Sequence, residues 1–284
     1  MSYLNTSKTE EADTTLLDNI IIPSRPTILL KIQKAQADKD GANLVEMAEL
    51  IAQDIGLSAA VLKTINSAYY GLADKVTSIR QAVFLLGINR IYILVAALSL
   101  KKIAETSGCL DLDLFWNHSV EIASSSVFIA QHLDSINTDD AQLFGLFHDC
   151  GKVLLAQQFD GYQETLKTAA GIEDTLINIE RLRHGTDHSL VGALLSHAWC
   201  LPTSITLAIR HHHTITAFRE GVLSDEVLAL LAVNFLAESL TNHNNDYNYN
   251  EWSIHGDEFM ETLKIRENDV TNLRSEWQAK QTLS

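Results

Sequence analysis

Apolar residues along this chain recur at three- and four-residue spacing rather than in alternation, the period of helices that bury one face. From about residue 16 to residue 100 the pattern predicts short helices with Leu, Ile and Ala faces. Longer helices are predicted over Leu114–Leu133 and Thr138–Phe159, then others over Asp174–Arg183, Asp187–Trp199 and Thr203–His213. Helix starts are signalled by the capping-box pairs Asn43/Glu46 and Ser78/Gln81, by Asp187 and Ser224 as N-caps, and by Pro202 in a first turn. Gly71 and Gly87 stand where helix C-terminal glycines belong. Residues 1–15 read as a disordered leader and Thr241–Asn250 as a polar loop, with a helical appendage from Ile254 onward. No Asn-Gly or similar turn separates alternating runs, so no hairpin is predicted. The expected fold class is all-α.

Charge narrows the partners. The 284 residues carry 21 Lys and Arg against 36 Asp and Glu, a formal net charge of -15. Such a surface repels phosphate backbones and argues against nucleic acid, while a local cation can still hold a small phosphorylated ligand. Cys109, Cys150 and Cys200 are scattered and fit reduced thiols better than a disulfide framework. The first residues lack the apolar core of a signal peptide, and the apolar run Ile91–Leu100 is too short to span a bilayer. A cytoplasmic protein with no membrane association is expected.

The chemistry concentrates at Phe144-Gly-Leu-Phe-His148-Asp149-Cys-Gly151-Lys152, where a His–Asp pair interrupts an apolar helical pattern. Both side chains need partners once water is excluded. A divalent cation or a hydrogen-bond network fixing the bundle would serve, and the pair alone does not decide between them. His118, His188, His212 and His213 stand in similar apolar settings at spacings compatible with one pocket. A hydrolytic metal site needs imidazole and carboxylate donors and one position open to water. Lys152, one helical turn beyond His148, is the candidate phosphate contact. His132, His184, His197, His243 and His255 join no constellation, and His211 reads as a helix-end residue. Asn66 reads as a turn or helix-end feature.

Several ordered segments together resemble the HDOD family, output domains related to HD-type phosphohydrolases, over roughly residues 18–240. They include Ile22-Pro23-Ser24-Arg25-Pro26, Leu50 to Ser58, Leu62 to Gly71, Ser78 to Gly87, Phe144 to Lys152, Glu180 to His188, Val191 to Pro202 and Ala208 to His213. The resemblance implies a two-lobed protein, with an HDOD domain over 16–240 divided into a helical lobe at 16–108 and an HD-like bundle at 109–240. It further implies that His118 matches the first metal ligand of catalytic HD enzymes and His148–Asp149 the central pair. His188, His212 and His213 match the extra histidines of the dinuclear branch. Asn234 falls where an active enzyme has Asp, and the Gly-Tyr-Pro signature of cyclic di-GMP hydrolases is missing after His213.

The leading expectation is therefore a bacterial signal-transduction module that binds a ligand or protein partner and is catalytically impaired. The alternative is a metal-dependent phosphohydrolase acting on a nucleotide or cyclic dinucleotide, and a third reading is a scaffold whose polar pocket is only structural. The cofactor reading stays open between a divalent metal (iron, manganese or zinc) and none. Expected partners are proteins of a signalling pathway and a phosphorylated small molecule.

Overall fold

The computed structural model describes residues 20–37, 44–67, 70–105, 111–133, 136–169, 176–241 and 251–282. Among these there is helix and no strand, as the period of the apolar positions requires. The expected leader at 1–15, Asn43, Cys109 and the polar loop beyond Thr241 lie outside the described residues. The chain divides into two compact units, residues 24–103 with the last turns from Glu276, and residues up to Pro23 with 104–275.

The first unit contains α1 (Thr27–Ala37), α2 (Leu44–Ala52), α3 (Ile55–Ile65) and α4 (Ile79–Ala104). Helix α1 packs on α2 and α2 on α3, burying Leu29, Ile32, Met47, Ile51, Val61 and Ile65. Asp54 starts α3 by accepting from Leu57 N at 2.9 Å. Asn66 ends it. Its Nδ2 donates to Leu62 O and Val76 O, and its Oδ1 accepts from Val76 N, each at 2.8 Å, so it stitches the helix end to the following segment. Ser78 Oγ accepts from Gln81 N, and the Gln81 side chain accepts from Thr77 N one residue ahead of the expected reciprocal bond.

Helix α4 departs from expectation. The apolar run Ile91–Leu100 does not stand alone, because its flanks join a 26-residue helix long and apolar enough to cross a membrane. Half of its most apolar window is buried inside the protein, and Gly87 breaks it at φ 74°, ψ 177°. That backbone conformation suits glycine, so the expected helix-end glycine stands at a kink where one helical stretch ends and the next begins.

The second unit follows with α5 (Leu112–Gln131), α6 (Thr138–Phe147), α7 (Cys150–Gln158), α8 (Tyr162–Ala169), α9 (Leu176–His184), α10 (His188–Ala198) and α11 (Thr203–His211). A short α12 (Ala217–Glu220), α13 (Asp225–Thr241), α14 (Glu251–Leu263) and α15 (Glu267–Thr282) complete the chain. Helix α5 lies between α6 and α13, α7 packs on α10, and α10 on α11. The core holds Ile122, Phe144, Phe147, Val153, Leu154, Leu195, Trp199, Ile209, Leu231 and Phe235, all at most 2% exposed. Trp199 Nε1 donates to Pro23 O at 3.1 Å, tying the leading segment to the bundle. Val270, Leu273 and Trp277 form one buried stripe on α15.

The single helix expected over Thr138–Phe159 is two. Helix α6 stops at Phe147 and α7 begins at Cys150, with Asp149 at φ -99°, ψ 9° between them. A period of apolar positions does not register a break of two residues when the core face resumes at once. The consequence is local and large. In one continuous helix, adjacent side chains diverge by about 100°, whereas at this corner His148 and Asp149 turn toward each other.

Candidate metal centre

Two close helix approaches bring the candidate residues together, and both use glycine. A Cβ on Gly145 of α6 would lie 2.6 Å from Ala123 Cα, so α5 comes near enough to set His118 beside His148. A Cβ on Gly151 would lie 2.0 Å from His188 O, and one on Gly192 3.2 Å from Cys150 Sγ. Those two glycines let α7 and α10 cross with backbones almost touching, and His188 arrives over Asp149. Asp187 fixes where α10 begins, accepting from Leu190 N at 2.9 Å and from Ser189 Oγ, with Arg181 Nε 2.7 Å away. Helix α11 ends at His211, and the turn that follows presents His212 and His213.

Three imidazoles are anchored through Nδ1. His148 Nδ1 sits 2.8 Å from Gly145 O, His212 Nδ1 2.7 Å from Ile209 O, and His188 Nδ1 2.7 Å from the Glu180 carboxylate. Each acceptor takes a proton from Nδ1, and in the neutral ring that leaves Nε2 with a lone pair. His188 Nε2 and His212 Nε2 stand 3.3 Å apart, and Asp149 Oδ1 lies 3.3 Å from the first and 3.5 Å from the second. This is a triangle of three acceptors. Asp149 Oδ1 is buried there without a hydrogen bond. Donors held about 2.1 Å from a single cation at tetrahedral angles lie about 3.4 Å apart, so the triangle fits one metal ion.

His213 adds a fourth donor, its Nε2 3.1 Å from His188 Nε2. Ligand atoms of Asp149, His188, His212 and His213 all lie within 4.8 Å of one another, and so do those of His118, His148 and Asp149. The two groups share Asp149. On the second side, His148 Nε2 is 3.3 Å from Asp149 Oδ2, and the His118 and His148 rings meet edge-on at 5.9 Å. Six of the seven metal candidates therefore converge, together with Lys152.

The charges are mutually adjusted. Burial alone would raise the Asp149 carboxyl, but the adjacent Lys152 and His148 charges hold it well below the usual carboxylate range. Burial lowers His148, yet Asp149 beside it leaves the net shift upward. His212 is pushed well down by burial and by His213, which favours the neutral, ligating imidazole. Glu180 is held down against its burial by His188 and Tyr162, whose hydroxyl donates to its other oxygen. The Cys150 thiol is driven up by burial and by Asp149, so it is a packing residue rather than a nucleophile.

Two candidates bond to neighbouring carboxylates, and the first is Asn234. Its Nδ2 donates to Glu238 at 2.9 Å and its Oδ1 is buried without a hydrogen bond. Glu238 feels the charges of His148 and Asp149, and burial pushes its carboxyl up to about 7. Lys152, expected as a phosphate contact, places its Nζ 2.6 Å from Asp149 Oδ2, because that buried carboxylate needs a cation more than the ammonium needs water.

Glu180, eight residues before His188, meets that ring through Oε2, a contact set by tertiary placement rather than by spacing. Carboxylates that orient metal-binding histidines commonly stand in this relation. A cleft of about 450 Å³ opens beside His213, lined by Arg181, Ser189, Arg219, Glu251 and His255 among others.

The family model for the HDOD domain matches residues 22–215. This chain belongs to the HDOD family. An HDOD domain protein of unknown function from Geobacter sulfurreducens is 25% identical and superposes with a TM-score of 0.75 over 97% of this chain and 95% of its own. A candidate phosphohydrolase from Shewanella amazonensis SB2B, 20% identical, gives 0.71 over 94% and 93%. A candidate signal transduction protein from Marinobacter aquaeolei VT8, 18% identical, gives 0.71 over 96% of this chain and 63% of that one. These last two likenesses show the HDOD fold. An uncharacterized protein of Treponema pallidum (strain Nichols) is 27% identical over 228 residues, 76% of this chain and 42% of the relative. The chain thus spans less than half the length of the curated relatives it matches.

Proposed function

We propose that this HDOD protein is a cytoplasmic signalling module that holds a divalent metal at Asp149, His188, His212 and His213, with His118 and His148 on the other side of the same carboxylate. The centre serves to bind a phosphorylated small molecule rather than to turn it over, and the bound state is read by a protein partner. The observation that carries this is the buried triangle of acceptors formed by His188 Nε2, His212 Nε2 and Asp149 Oδ1. Imidazoles with one carboxylate suit iron, manganese or zinc. A bound cation supplies Lewis acidity and an anchor for phosphate oxygens. Arg181 and Arg219 border the adjoining cleft and offer guanidinium donors to the rest of such a ligand.

Two features argue against turnover. Asn234 brings an amide where an active HD enzyme has a carboxylate, and charge-assisted contacts are about twice as strong as neutral ones. Lys152 is committed to Asp149 and does not project into the cleft lining. The opposing observation is the near-complete ligand set, which keeps a metal-dependent phosphohydrolase as the second reading.

The test is the metal content of untagged protein by plasma mass spectrometry beside Asp149→Ala. Near-stoichiometric iron, manganese or zinc, reduced at least tenfold in the variant, is the expected result. No metal in either protein would sink the metal reading. Turnover of phosphodiester substrates by the loaded protein, abolished in Asp149→Ala, would replace binding by hydrolysis.

A further inference from the structure

The HDOD match ends at residue 215, yet the chain continues into α13 and α14. Helix α14 is fastened to α13 by aromatic packing. The Phe259 and Phe235 rings stack at 4.6 Å with an interplanar angle of 14°, Phe218 lies 5.0 Å from Phe259, and Trp252 lies 5.6 Å from it. Phe259 is fully buried, and Arg219 pairs with Glu258 at the rim. This anchorage sets the first residue of α14, Glu251, against the metal centre. Its Oε1 lies 3.7 Å from His213 Nδ1, and its side chain is only 11% exposed.

Each of the other three anchored imidazoles has an acceptor facing Nδ1, two backbone carbonyls and the Glu180 carboxylate. For His213 the group in that position is Glu251. We infer that Glu251 is the positioning carboxylate of His213, so that the helix appended beyond the HDOD region completes the metal centre. The inference rests on the reading of His213 as a metal ligand. The 3.7 Å separation is longer than a hydrogen bond, and a small rotation of the partly exposed His213 ring closes it. The arrangement mirrors Glu180 on His188 across the same pair of imidazoles.

The experiment is calorimetric titration of the full-length, metal-free protein with Mn²⁺ alone, for the wild type, Glu251→Gln, His213→Ala, the double variant and Asp149→Ala. Glu251→Gln is expected to weaken Mn²⁺ binding about 10- to 100-fold, the usual effect of removing such a carboxylate. In the His213→Ala background the same substitution should change affinity by less than about twofold, because its target is gone. A packing role would lower affinity equally in both backgrounds, and that result overturns the inference. So does wild-type affinity in Glu251→Gln while Asp149→Ala has lost binding. A wild type that takes up no Mn²⁺ fails the metal reading itself, a different result from either of these. Glu251→Ala provides a second variant, since Gln and Ala are both well tolerated in a first helical turn.

Discussion

Glu238 shows at single-residue scale what the centre does to its neighbours. Burial raises its carboxyl to about 7 from an ordinary 4.5, reinforced by Glu251 and Asp149 and opposed by His148. The unfolded chain loses this proton near 4.5 while the folded chain keeps it to about 7. Between those values the unfolded state is the more ionised, so stability falls as pH rises through the window and levels off above it. Glu238→Gln removes the effect, since a glutamine oxygen still accepts from Asn234 Nδ2. Metal-free Glu238→Gln should be more stable than wild type at pH 8 by about 1–3 kcal/mol and equal to it near pH 4, as read from urea midpoints. At this scale His118, His148, Asp149, His188, His212 and His213 were legible in the sequence, because each is a polar residue in an apolar pattern. Glu180 and Glu251 were not. An orienting carboxylate needs only one contact to a ring nitrogen, and that contact depends on tertiary placement rather than on period.

Among the elements, the crossing of α7 and α10 is the most constrained. The Cβ of Gly151→Ala would meet the backbone carbonyl of His188 at 2.0 Å, and backbone of a buried helix does not give way cheaply. The expected cost is about 3 kcal/mol, a fall in Tm of roughly 6–12 °C, with metal uptake lost because His188 moves off Asp149. Gly161→Ala, where an added Cβ meets nothing within 4 Å, should leave both unchanged and serves as the control in the same melts. Helix positions were readable from spacing and caps. Asp187 and Ser224 do cap, with Ser224 Oγ accepting from Val227 N at 3.5 Å. The corner at His148–Asp149 was not readable, since the apolar face of α6 resumes in α7 without a gap. The extra length of α4 escaped for the opposite reason, its polar flanks masking a helix that continues past the apolar run.

For the whole molecule, a metal bound as proposed would contribute to folding. A ligand that binds only the native state at a hundredfold excess over its Kd adds about 2.7 kcal/mol. Mn²⁺ or Zn²⁺ should therefore raise the Tm of the wild type and leave that of Asp149→Ala unmoved, measured by scanning calorimetry at fixed protein concentration. The net charge of -15 favours local enrichment of such cations and works against any polyanionic partner. The all-α class and the HDOD resemblance were visible in the sequence because both rest on many separated segments. The part played by α14 was invisible, because it lies past the last matching segment and acts through a single side chain.

The corner between α6 and α7 ties two helices into one site. His148 ends one helix and Asp149 precedes the next, so the two donors ride on different rigid rods joined by a two-residue elbow. At its far end the nine-residue α7 carries Gln158, whose side chain grips Ile21 through two hydrogen bonds, so a single rod clamped on α10 joins the buried pair to an exposed stretch of chain.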